Sequence, residues 1–213
     1  MIEINESSLS ALREHLLPKM STKRYRHTLA VEDMVARLCA LYCPEHTILM
    51  RAAALLHDLT KEIDTEGQVA LCRTYGLEVT KSDLSSPKTF HARTASAMIA
   101  DGYASFAHPL VVDAVRWHTT GHAKMTLTEA LLYLADYIDE SRTFPSCVML
   151  RQFFWDAEPQ KMTGAQRLVH LQKTLVLSFD LTVKDLLSDG ALIARDTIDA
   201  RNEMLLKLSE CTE

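Results

Sequence analysis

Apolar residues recur every three or four positions through almost the whole of this chain, and strict apolar/polar alternation is scarce. That period is the 3.6 of an α-helix and not the 2 of a strand, so the chain reads as all-α. Punctuation is sparse too, with 6 glycines and 6 prolines among 213 residues. A chain of this length buries a sizeable core within one domain. Its 47% hydrophobic and 24% charged residues are ordinary for a globular protein. No internal repeat or low-complexity tract interrupts it.

The first helix spans about Ser7 to Lys19, with Leu9, Leu12, Leu16 and Leu17 on one face and Pro18 near its end. Thr22 is placed to cap a second helix that runs to about Tyr42 along the stripe Val31, Met34, Val35, Leu38, Tyr42. Pro44 breaks the chain, and Thr47 opens a third helix through the apolar run Met50 to Leu56. A fourth runs from about Thr65 to Tyr75 and stops at Gly76. Residues 77–89 read as a loop, long enough to be a lid or a substrate-facing wall. His91 opens a fifth helix rich in small residues, Pro109 suits the first turn of a sixth, and Thr126 is placed to cap a seventh that ends near Asp139. From Val148 onward the chain is helical again, with a long stretch from about Gly164 to Leu187, a break at Gly190 and a last helix from Asp196 to Leu208. That part reads as support: it shows no inward histidine and no carboxylate pair, and Phe153, Phe154 and Trp155 read as packing. Residues 1–145 are therefore the expected functional core and 146–213 a helical extension packed on it, within a single structural domain.

Several polar residues sit where the helical period puts apolar ones. His27 precedes Val31 by one turn on the stripe of the second helix; His91 shares a face with Ala95 and Met98. His118 follows Val111, Ala114 and Val115 at i+7, and Asp136 aligns with Leu132, Ala135 and Asp139 at i, i+3, i+4 and i+7. The third helix delivers His57 and Asp58 side by side, with Lys61 one turn later. Each has an ordinary explanation, such as a core imidazole bonded to a carbonyl. Together they ask for something that compensates buried polar groups, since an unpaired buried carboxylate is costly. Metal cations do this, because neutral imidazole and carboxylate are both good ligands. Four imidazoles and two carboxylates are too few for two closed six-coordinate ions but suit two open sites that share one carboxylate, with water and substrate completing them. Imidazole-rich sets with oxygen donors suit iron, manganese, cobalt or zinc better than magnesium or calcium.

Charge narrows the partners. A net charge of −5 and a pI near 6.0 argue against a general nucleic-acid binder, though not against a local basic pocket. No apolar run approaches the roughly 18 to 20 residues of a membrane span. The start, Met1-Ile2-Glu3-Ile4-Asn5-Glu6, has neither the basic nor the apolar region of a signal peptide. The five cysteines (Cys39, Cys43, Cys72, Cys147, Cys211) form no CxxC pair and leave one over, which fits a reducing cytoplasm and no disulfide framework. Cys39 and Cys43, four apart on a helix, read as packed thiols and not as half of a zinc site.

The order Arg24-x-x-His27-Thr28, His57-Asp58-x-x-Lys61, His91, His118-Thr119-Thr120-Gly121 and Ala135-Asp136-Tyr137-Ile138 resembles the HD-domain metal phosphohydrolases. Within that superfamily it looks most like the bacterial symmetrical diadenosine tetraphosphate hydrolases of the YqeK type. The similarity extends over Trp117 to Gly121, Ala135 to Arg142 with Phe144-Pro145, and the tail Asp196 to Asn202. Ala30 and Ala92 stand where that family commonly has glycine, and Trp117 where tyrosine is frequent; these change size, not ligands.

The resemblance implies an HD-domain helical bundle with added C-terminal helices. It implies that His27, His57, Asp58 and Asp136 bind one metal and that His91 and His118 bind a second, with Asp58 bridging the two. Iron is the favoured metal, divalent or mixed-valence, with manganese or cobalt as alternatives. A hydroxide activated by the two metals would split diadenosine tetraphosphate into two ADP, with Asp58 and Lys61 as catalytic residues. Lys61, Arg24 and Arg142 would clamp the phosphates, and Thr119, Thr120 and Gly121 would lie near the nucleotide. A dinucleoside polyphosphate is then the expected partner, with no nucleic acid and no membrane; a homodimer stays open. The rival readings are an HD phosphohydrolase acting on a monophosphate, cyclic or hyperphosphorylated nucleotide, and a non-catalytic nucleotide sensor. His15, His46, His108, His122 and His170 receive no role, although His122 is near enough in sequence to support the site.

Overall fold

Most helix starts in this chain carry a side-chain cap, although those at Thr47, Phe90 and Pro145 do not. The computed structural model describes residues 4–210; Met1 to Glu3 and Cys211, which entered the readings above, lie outside the described residues. Among the described residues there are eleven α-helices and no strand. They are α1 (Glu6–Leu16), α2 (Thr22–Tyr42), α3 (Thr47–Leu56), α4 (Thr65–Thr74), α5 (Lys81–Ser85), α6 (Phe90–Gly102), α7 (Pro109–Trp117), α8 (Leu127–Ile138), α9 (Pro145–Asp156), α10 (Gly164–Ser188) and α11 (Arg195–Glu210). Asn5, Thr80, Thr126 and Thr163 each complete a capping box with the residue three positions on, and Asp64 also accepts from a first-turn amide.

Three local expectations move. Ser21, not Thr22, caps α2: its hydroxyl oxygen accepts from Arg24 N at 3.2 Å, while Glu62 takes the Ser21 N–H at 2.8 Å. α1 ends at Leu16 and Pro18 tightens the next turn into a 3-10 helix, so Leu9, Leu12 and Leu16 are buried while Leu17 turns out to solvent. Residues 77–89, read as loop, contain α5 and a short turn at Pro87–Thr89. Arg93 of α6 ties that segment down through Asp83 at 3.1 Å and the Glu78 carbonyl.

α3 is buried nearly all round, with Ala52 through Leu56 fully inaccessible, which marks it as the central helix. α2, α7 and α8 pack about it; α6 packs on α7, and α4 on α6. α9 and α10 pack on α8, and α11 packs on α10. Cys39, Cys43, Cys72 and Cys147 are free and buried. His170 corrects the expectation that the C-terminal part has no inward histidine: it is buried between the rings of Phe153 and Phe154, and its Nε2 bonds the Phe154 carbonyl at 3.0 Å. Phe154 is fully buried, whereas Phe153 is exposed on its outer face. No helix among the described residues is long and apolar enough to cross a membrane.

This arrangement aims helix ends at one place. His57 and His118 are the C-terminal caps of α3 and α7, and Asp136 lies in the last turn of α8. His91 lies in the first turn of α6 and His27 in the second turn of α2.

Candidate metal centre

Six side chains from five segments meet in one cluster centred on the carboxylate of Asp58. Its Oδ2 lies 3.3 Å from His57 Nε2 and 3.7 Å from His27 Nε2. Its Oδ1 lies 3.3 Å from His91 Nε2 and 3.9 Å from His118 Nε2. One oxygen thus faces one pair of imidazoles and the other oxygen faces the second pair. Asp136 closes the first side, with Oδ1 2.9 Å from His27 Nε2 and 3.8 Å from His57 Nε2. Two sets, His27–His57–Asp136 and His57–Asp58–His118, each bring their donor atoms within 4.8 Å of one another.

The far nitrogens of the rings explain why the near ones point inward. Nδ1 of His57 meets the Ala54 carbonyl at 2.6 Å, Nδ1 of His118 the Val115 carbonyl at 2.6 Å, and Nδ1 of His91 the Lys88 carbonyl at 2.8 Å. A carbonyl only accepts, so each Nδ1 carries the proton and each neutral ring presents its Nε2 lone pair to the cluster. His27 is held differently, by Ser141 Oγ at 3.1 Å, with the Asp139 carboxylate close behind at 3.4 Å and accepting the Ser141 hydroxyl. Such outer partners are what fix a ligating imidazole in tautomer and angle.

Two features show that cations fit here. The Nε2 atoms of His27 and His57 are buried with no hydrogen-bond partner, each an expense of about 1–3 kcal/mol. The Nε2 atoms of His91 and His118 lie 3.0 Å apart although neither can donate, so two lone pairs face each other, with the Lys61 ammonium 3.2 Å from His91 Nε2 and the Thr119 hydroxyl beside them, a place that a cation also suits. The electrostatics agree. Burial pushes Asp58 and Asp136 up, but the imidazoles around Asp58, and Arg142 with His27 around Asp136, hold both carboxyls well below their usual range. Burial and His57 bring His118 down to about 4; burial, Lys61 and His118 hold His91 well below its ordinary value. At His27 burial is outweighed by Asp136 and Asp139, which push it up to about 9.

The family model for the HD domain matches residues 24–141, more than half of the chain and all six of these residues. The chain belongs to the HD-domain family. It is 30% identical to the symmetrical bis(5'-nucleosyl)-tetraphosphatase of Staphylococcus aureus, over 86% of this chain and 88% of the relative. It is 27% identical to the enzyme of the same name from Halalkalibacterium halodurans, over 89% and 93% of the two chains. A crystal structure from Clostridium acetobutylicum, described as a predicted HD superfamily hydrolase involved in NAD metabolism, superposes with a TM-score of 0.79 at 28% identity, covering 93% of this chain and 97% of the other. Within the HD domains, then, the chain stands with the symmetrical bis(5'-nucleosyl)-tetraphosphatases and is a hydrolase of that group.

Basic and hydroxyl groups ring the HD cluster. Lys61 Nζ lies 3.2 Å from His91 Nε2; burial pulls its pKa down, against the upward pull of Asp58 and Asp136. Arg24 pairs with Asp58 Oδ2 and Arg142 with Asp136 Oδ1, both guanidinia half-buried at the rim. Thr119 Oγ1 stands 3.1 Å from His91 Nε2 and 3.2 Å from His118 Nε2. Its neighbours turn away: Thr120 bonds the Gly121 carbonyl at 3.0 Å, and Gly121 packs toward Phe179 and Met125. His122 stacks on Trp117 and pairs with Glu129 at 3.2 Å, away from the ligand atoms named above. Asp139 and Ser141 were missed as site residues. Asp139 lies one turn beyond Ala135 and Asp136 on their stripe, but its use depends on a histidine from α2.

Proposed function

We propose that this HD-domain chain hydrolyses diadenosine tetraphosphate symmetrically, giving two ADP, at a centre of two divalent cations. The observation that carries the reading is the division of Asp58, Oδ2 toward His27 and His57 and Oδ1 toward His91 and His118. A carboxylate so divided is a bridge. In this reading His27, His57, Asp58 and Asp136 hold one ion, and His91, His118 and Asp58 the other. Iron is the favoured metal, with manganese or cobalt as alternatives, because imidazole with a few carboxylate oxygens suits them better than magnesium. Cations held there would lower the pKa of water and draw charge from the phosphoryl oxygens.

The protein's own groups do the rest. Lys61, Arg24 and Arg142 put three cationic groups around the pair, where the oxygens of a tetraphosphate are natural partners. Thr119 offers a hydroxyl on the side of His91 and His118. Water adds to one of the two inner phosphorus atoms, and the oxygen bridging them leaves with the second ADP. The relatives, symmetrical bis(5'-nucleosyl)-tetraphosphatases by name, support this choice of substrate. The test is a panel of dinucleoside polyphosphates, nucleoside monophosphates, cyclic nucleotides and hyperphosphorylated guanine nucleotides, with products resolved by chromatography and metals measured on protein purified without chelator. Two ADP per diadenosine tetraphosphate, with no ATP plus AMP, is the expected result; turnover only of another class would sink the reading.

A further inference from the structure

The stretch Asp196 to Asn202 at the start of α11 contributes no atom to the ligand cluster. Its contacts lead back to the site by another route. The Thr197 side chain is buried in the first turn of α11, and its hydroxyl donates to the main-chain carbonyl of Thr120 at 3.1 Å. The next residue along the loop is held from α10. Gly121 has φ +63°, and a Cβ there would come within 2.9 Å of Phe179 Cζ and 3.0 Å of Met125 Sδ, so the backbone lies directly on that ring. The Gly121 amide also donates to the Trp117 carbonyl at 2.9 Å. Two successive residues are thus pinned by the two C-terminal helices, and Thr119, the residue just before them, keeps its hydroxyl on the nitrogens of His91 and His118.

We infer that Thr197 is a positioning residue for the hydrolytic reaction: its hydroxyl, acting through the Thr120 carbonyl, fixes Thr119 against the His91–His118 side of the site. The inference rests on the reading of that site as hydrolytic. α11 does not need this hydroxyl in order to dock. Ala200 and Met204 are buried, and Arg201 pairs with Asp180 of α10 at 2.7 Å. What the hydroxyl adds is a link from α11 to the loop, bonding a buried carbonyl.

The experiment compares Thr197→Val, which keeps the shape and loses the donor, with Thr197→Ser, which keeps the donor. Three readouts are taken on the full-length metal-loaded protein: amide exchange over residues 117–123, bound metal, and kcat and KM with diadenosine tetraphosphate. In the valine variant exchange should quicken in that segment alone and metal content should stay at the wild-type level. Its kcat should fall about ten- to hundredfold with KM within about twofold, as a slightly misplaced group predicts. The serine variant should restore exchange and most of kcat. Unchanged exchange in the valine variant overturns the inference. So does exchange that quickens evenly over the whole chain, which would mean simple destabilisation, or an unchanged kcat in an enzyme whose wild type is active. If the wild type cleaves no dinucleotide while the exchange pattern holds, the clamp on the loop stands and the substrate reading falls.

Discussion

His118 and His170 are both buried imidazoles at the ends of apolar stripes, one in the HD half and one in the C-terminal half. His170 spends its Nε2 on the carbonyl of Phe154 and packs its ring between two phenylalanines. His118 gives Nδ1 to a carbonyl and turns Nε2 toward Asp58, His91 and Thr119. Burial is therefore no sign of ligation. What separates the two is the fate of the second ring nitrogen: one is satisfied inside its own packing, the other is left facing charge. His170 is surrounded by the two phenylalanine rings and a main-chain carbonyl of α9, whereas the side chains His118 faces come from other helices and carry charge or ligand atoms.

The sharpest way to break this comparison is to remove the shared carboxylate. Asp58→Ala should cut turnover by about three orders of magnitude. Metal-borne charge stabilisation is worth several kcal/mol, and about 1.4 kcal/mol is a factor of ten. Bound metal measured by elemental analysis should fall with it, while far-ultraviolet circular dichroism stays helical. His170→Gln is the counterpart. It should leave metal and kcat alone and lower stability by about 1–3 kcal/mol, read from denaturant midpoints. Metal lost from the His170 variant, or retained in full by the Asp58 variant, would undo the distinction.

A smaller effect is expected one layer out. Asp139→Asn keeps the shape but weakens the hold on His27 Nδ1, and loss of such a partner costs about 10–100-fold in metal affinity. Competition with a chelator of known strength reads this directly, and an unchanged affinity would make Asp139 a packing residue like those around His170. Lys61→Met should leave metal content intact and lower kcat/KM about tenfold, as expected of a group that meets phosphate and holds no metal. An equal loss of metal would instead make Lys61 a prop for His91.

The six cluster residues were legible because helical spacing tells which face of a helix a residue occupies. Polar residues on otherwise apolar faces stand out at His27, His91, His118 and Asp136. Spacing does not tell what stands opposite. Asp139 lay on the predicted stripe of α8, yet its partner His27 comes from α2, so its use could not be read. Thr197 lies in the tail that carries the resemblance, but its spacing gave no sign of its use, because its acceptor is a main-chain carbonyl 77 residues away. His170 was misjudged for the same reason from the other side: its acceptor, a carbonyl on α9, leaves no mark on the pattern of α10. Leu17 failed more simply, since a helix that tightens at Pro18 no longer carries its stripe forward. Faces are local properties of sequence, whereas partners are properties of the fold.

The smallest effect concerns residues 77–89, the segment expected to form a lid or wall, where α5 is tied to α6. Asp83 is a partly exposed carboxylate that burial pushes up, while its bonds from Thr80 and the charge of Arg93 push it down further, so it rests below its ordinary value of 3.8. A carboxyl depressed in the folded chain adds stability above its unfolded value and loses it as pH falls through the folded one. Asp83→Asn should therefore cost no more than about 1 kcal/mol at neutral pH, as partly solvated pairs do. The gap between variant and wild type should close as pH drops below 4, followed by denaturant unfolding of the metal-free protein at each pH. Metal content of the loaded variant at neutral pH should match the wild type, because Asp83 belongs with the groups whose partners lie in their own packing. A gap that widened on acidification would show that the carboxylate is held in its protonated form, and that this wall is organised by something other than Arg93.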